Sequence, residues 1–76
     1  MIRRPVSSSN VVSVGWEADP DENGQPSLTG TLEVEFKNGR VYGYLEVPEQ
    51  VYENLIGASS VGRFLQQNVI GSYDER

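Results

Sequence analysis

Asn38-Gly39 joins two extended runs, Thr31-Leu32-Glu33-Val34-Glu35-Phe36-Lys37 and Arg40-Val41-Tyr42-Gly43-Tyr44-Leu45-Glu46-Val47. No other feature restricts the fold of this chain as much. The first run alternates apolar and polar residues, the period of a half-buried strand. A type I′ turn needs positive φ at both central residues, and asparagine followed by glycine tolerates that best. A two-residue loop fixes the register: Lys37 opposite Arg40, Phe36 opposite Val41, Glu35 opposite Tyr42, Val34 opposite Gly43, Glu33 opposite Tyr44 and Leu32 opposite Leu45. This predicts an apolar face of Leu32, Val34, Phe36, Val41, Gly43 and Leu45. The opposite face carries Glu33, Glu35, Lys37, Arg40, Tyr42 and Tyr44 and is expected to be open to solvent.

Upstream, Val11-Val12-Ser13-Val14-Gly15-Trp16-Glu17 is β-branched and aromatic and reads as another strand, with Val12, Val14 and Trp16 sharing a face. Residues 18–30 hold Pro20, Gly24, Pro26 and Gly30 among acidic and polar residues, which predicts a long connecting loop. Downstream, Pro48 and Glu49 suit a helix start, and Val51, Tyr52, Leu55 and Ile56 repeat at helical spacing up to Gly57. Ser59 or Ser60 can cap a second helix with Val61, Phe64, Leu65 and Val69 on one side and Gly71 as its stop. Gly43, on the apolar face, leaves room for a helix to come close. The expected architecture is α+β: a three-stranded antiparallel β-meander with two short C-terminal helices packed on one face. Residues 1–7 and 72–76 read as tails around a domain of residues 8–71.

Seventy-six residues allow one small domain. The chain has neither cysteine nor histidine, which excludes disulfides and thiolate sites and removes the usual zinc ligands and the commonest general base. Six basic residues against eleven acidic ones give a net charge of −5, so uniform wrapping by nucleic acid is disfavoured and any phosphate contact is local. The apolar stretches fall well short of the roughly 20 residues that span a bilayer. Arg3-Arg4 is followed by no apolar segment of the kind an export signal needs, and a cytoplasmic location is expected.

Taken in order, Ser8-Ser9-Asn10-Val11, Val14-Gly15-Trp16, Leu32-Glu33-Val34-Glu35-Phe36, Tyr42-Gly43-Tyr44, Val47-Pro48 with Val51-Tyr52, and Ser60-Val61-Gly62 with Phe64 resemble the KTSC domain. This small bacterial and phage module is named for its occurrence at the C-terminus of some lysyl-tRNA synthetases. The resemblance covers nearly the whole chain and implies a binding module for which RNA has been suggested as ligand. The sequence departs from the family pattern in its acidic stretch at 18–30, treated as an insertion, and in Trp16 where tyrosine is usual.

Several residue groups could carry a function. Tyr42 and Tyr44 beside Lys37 and Arg40 are the types a single-strand binder uses for stacking and phosphate contact. Packing under Tyr73 or the N-terminal tail is the favoured account, since tyrosine is also a good strand residue and Glu33 and Glu35 across from the pair repel phosphate. Ser9 and Asn10, with Ser8, present donors and acceptors, although such clusters more often form turns with their own backbone. Arg63 stands near a helix N-terminus, where an anion can bind. Asp19-Pro20-Asp21-Glu22-Asn23-Gly24 fits the first half of a calcium loop, but Gly30 occupies the twelfth position, which should be glutamate, so a turn-forming acidic loop is the better account and no metal is expected. No general base stands beside a serine and no cavity excludes water from a carboxylate pair, so a non-catalytic protein without cofactors is expected. The sequence does not fix a partner; a single-stranded RNA or a nucleotide-like ligand is a candidate. The alternatives are a protein-interaction module, which could pair with a second copy of itself, and an acidic inhibitor from a phage or mobile element that fills a basic host site.

Overall fold

A computed structural model describes residues 1–76 as a four-stranded antiparallel sheet followed by two helices. The strands are β1 (Arg4–Pro5), β2 (Val11–Pro20), β3 (Pro26–Phe36) and β4 (Val41–Pro48), in the order β1-β2-β3-β4. The helices are α1 (Glu49–Ile56) and α2 (Val61–Asn68). The α+β class and the two helices agree with the sequence. The strand count does not: the predicted N-terminal tail supplies a fourth strand, β1, with Arg4 opposite Val14 and Pro5 opposite Ser13. Two residues are too few to show an alternating pattern.

The predicted loop at 18–30 is also mostly strand. β2 continues to Pro20 and β3 starts at Pro26, so the segment is the far end of a long hairpin. Its two prolines lie at strand ends, where a missing amide costs no ladder bond. Ser27 Oγ bonds the carbonyls of Asp19 and Thr29, both at 2.8 Å, across an irregular stretch of the pairing. At the tip, the Asp21 carboxylate accepts from the amides of Asn23 (2.8 Å) and Gln25 (2.9 Å). Asp21 is therefore a turn former, and no three acidic side chains converge as a metal site.

The central hairpin departs from the predicted register by one residue. Leu32 pairs with Tyr44, Glu33 with Gly43, Val34 with Tyr42 and Glu35 with Val41. The loop has three residues, Lys37-Asn38-Gly39: the Phe36 amide donates to Arg40 O and the Gly39 amide to Phe36 O, both at 2.9 Å, and Gly39 takes φ 88°. This is the hairpin form in which a type I turn is followed by one left-handed residue. Asn-Gly serves either form, and the form sets the faces, because strand side chains alternate. Tyr42 and Tyr44 therefore lie on the inner face with Leu32 and Val34, while Val41, Gly43 and Leu45 lie outside with Glu33 and Glu35.

The helices cover the inner face. The core is Val11, Val14, Leu32, Val34, Tyr44, Val47, Leu55, Val61, Leu65 and Val69, with Trp16, Phe36, Tyr42, Phe64 and Tyr73 packed around it. Two bulges adjust the strands to this core. The extra residue Val12 lets Val11 and Val14 both point inward and leaves Val12 itself exposed, contrary to the face expected for it. Leu45 and Glu46 together oppose Thr31, which turns Val47 inward and holds Glu46 at φ 56°. Trp16 Nε1 then donates to Val47 O at 2.9 Å. Gly57 ends α1, and Ser60 caps α2 by accepting the Arg63 amide at 3.3 Å, as the sequence implies.

The predicted C-terminal tail is docked as well. Tyr44 bridges Glu75, Leu45 donates to Asp74 O (2.8 Å) and the Arg76 amide donates to Gly43 O (2.7 Å), so the last residues line the free edge of β4. Arg3 and Arg76 lie across the outer face and meet on Glu33, at 3.5 Å and 2.9 Å. Glycines make this possible. A Cβ on Gly15 would come within 2.7 Å of Ile2 O, and one on Gly43 within 2.8 Å of Arg76 Nε. Gly43 thus admits an arginine on the outer face where a helix was expected on the inner one.

Candidate functional site

The predicted aromatic surface is not formed. Tyr44 retains 2% of its exposure, and burial, with smaller effects from Glu75 and Tyr42, raises its phenol pKa above the ordinary value. Tyr42 is half-buried and meets Phe36 edge to face, with centroids 5.5 Å apart. Its hydroxyl accepts a long bond from the exposed Arg40, 3.5 Å, which raises the pKa of that guanidinium. Lys37 is exposed in the turn, and its amide donates to Asn10 O at 2.9 Å. These four residues present no pair of rings to solvent.

The remaining predicted residues, Ser9, Asn10 and Arg63, converge. The segment before β2 passes the first turn of α2, and the gap between them is an open cleft of about 350 Å³, lined by residues 7–10, 59–63 and Gln66. Ser8 is used structurally, since its Oγ accepts from the Asn10 and Val11 amides at 3.2 and 3.3 Å. That turn leaves Ser9 and Asn10 exposed at the cleft. Across it, Ser60 Oγ takes the Arg63 amide, while the amides of Val61 and Gly62 have no intramolecular acceptor, the usual condition of a helix first turn. Arg63 adds an exposed guanidinium.

Gly62 keeps this cleft open. A Cβ there would stand 3.9 Å from Asn10 Nδ2 and 4.0 Å from Ser8 Oγ, so a larger side chain would project into the space between the two walls. Sequence reasoning passed over Gly62 and Gln66. A signal was present, since glycine inside a helix costs about 1 kcal/mol relative to alanine and so asks for a reason. The electrostatics are equally specific. Eleven of the 76 residues are acidic, yet the lining contains none, so its one charge is the positive charge of Arg63.

Comparisons with known proteins agree on the lineage. The family model of the KTSC domain matches residues 7–73. A protein of Tsukamurella paurometabola is 37% identical over 62 residues, covering 82% of this chain and 79% of that one. An uncharacterized protein of Stutzerimonas stutzeri is 37% identical over 67 residues, covering 88% and 82%. Among solved structures, a KTSC domain protein of Yersinia pestis superposes with a TM-score of 0.83 at 35% identity, covering 99% of this chain and 93% of that one.

Proposed function

The chain belongs to the KTSC family, and from that premise we propose that it is a non-catalytic binding module taking a phosphate-bearing, nucleotide-like ligand, free or within RNA, in the cleft between residues 7–10 and α2. One observation carries this reading. Ser9 and Asn10, and Arg63 far along the chain from them, line one polar cleft free of acidic residues in an acidic protein. A phosphate there meets hydroxyl, amide and guanidinium donors and the positive end of a helix dipole. Catalysis is no part of the reading, because an open cleft lined by serines, with no base beside them, activates no nucleophile.

The test is a titration of the protein and of Arg63→Ala with inorganic phosphate and with adenosine monophosphate. Arg63 is exposed and caps through its backbone amide, so the substitution leaves folding intact. Loss of a charge-assisted hydrogen bond is expected to weaken both ligands about tenfold. Equal binding by the two proteins, or no binding by either, would remove the reading.

A further inference from the structure

A second cleft of about 430 Å³ adjoins the polar one, sharing Ser7, Ser59 and Val61 with it. Its character differs: Val6, Ile56, Ala58 and Val61 make it partly apolar, and its only charged residue is Arg4. The adjacent arginines at the start of the chain are thereby separated in role. Strand alternation sends Arg3 to the outer face, onto Glu33, and Arg4 to the helix side. Neither cleft is lined by an aspartate or glutamate, whereas two other surface hollows of this molecule hold Glu46 with Asp74 and Glu49 with Glu53.

Resting on the reading above, we propose that the two clefts form one groove for a nucleoside phosphate unit, with the phosphate in the Asn10–Arg63 half and the base in the Val6–Ile56 half beside Arg4. An aliphatic floor accepts a base by face contact, and a planar guanidinium can stack on it or donate to its edge acceptors. The groove edge argues against an extended peptide as occupant. The Val6 amide bonds Val12 O at 3.1 Å, so alternation turns position 5 toward the free edge of β1, and Pro5 has no amide to offer there. A peptide adding to that edge would find no donor at its centre.

The experiment is amide NMR of the full chain, titrated separately with inorganic phosphate, adenosine monophosphate and a short unstructured oligoadenylate. Phosphate is expected to shift Asn10 and residues 60–63 alone. The two nucleotide probes are expected to shift Val6, Ser7, Ile56 and Ala58 as well. Arg4→Gln, and independently Ala58→Leu, which fills the base half without adding charge, are expected to weaken adenosine monophosphate about fivefold while leaving phosphate binding unchanged. Tighter binding of the oligonucleotide than of the mononucleotide assigns the unit to a strand; equal binding assigns it to a free nucleotide, and either supports the groove. If adenosine monophosphate moves only the residues that phosphate moves, and both variants bind it normally, the two-part groove is overturned while the phosphate cleft stands. If no probe moves any residue, both fail.

Discussion

Glu46 holds φ at 56°, the only residue other than glycine with a positive value. The position is imposed by the bulge that turns Val47 into the core, and an L side chain there costs about 1–2 kcal/mol. Glycine would relieve that strain and give back about 0.5–1 kcal/mol in backbone entropy. Glu46→Gly is therefore expected to stabilise the protein by up to about 1 kcal/mol, a rise of a few degrees in Tm for a domain of this size. An unchanged or lower Tm would mean that the Glu46 side chain contributes something its exposed position does not show.

Among the elements, the β3–β4 hairpin decides which tyrosines the protein can offer. Its three-residue loop pairs Phe36 with Arg40 and so fixes the inward face of Tyr42 and Tyr44; deleting Val41 with that loop intact would set Tyr42 opposite Glu35 and Gly43 opposite Val34 and send the tyrosine face outward. Such a variant is expected to lose its cooperative thermal transition, since Tyr44 and the residues beside it cannot leave the core without cost. A folded variant whose tyrosines stay protected from fluorescence quenchers would show that register is set elsewhere. The two helices and the central stretches of β2, β3 and β4 were legible in the sequence because alternation and helical spacing are local. Ser60 as a cap and Gly57 as a stop were legible for the same reason. The far end of the β2–β3 hairpin was not, because its prolines and glycines read as a loop. The register was not, because Asn-Gly fits both loop lengths and Tyr42-Gly43-Tyr44 reads as amphipathic from either side. The short edge strands were also hidden, since the pairing of Arg4 and of Glu75 depends on partners about ten and thirty residues away. Ser9, Asn10 and Arg63 were each recognisable by type, but only the tertiary fold brings them to one cleft.

At the scale of the whole molecule, one carboxylate links the two end segments. Glu33 pairs with Arg3 from the N-terminal segment and with Arg76 from the C-terminal one, and all three side chains are partly exposed. Exposed pairs contribute only about 0.2–1 kcal/mol each, so Glu33→Gln is expected to loosen both segments without unfolding the domain. Hydrogen exchange at Val6, Leu45 and Arg76, whose amides hold the two segments in place, should quicken about two- to fivefold. Loosening at one end alone would show that the two pairs act separately. The same meeting point means that side chains from both end segments lie over one face of the sheet. A short glycine-rich bridge from residue 76 to residue 1 should yield a cyclised protein with the same sheet, and new openings cut at the Asp21–Gly24 tip would then test whether chain order matters to this architecture at all.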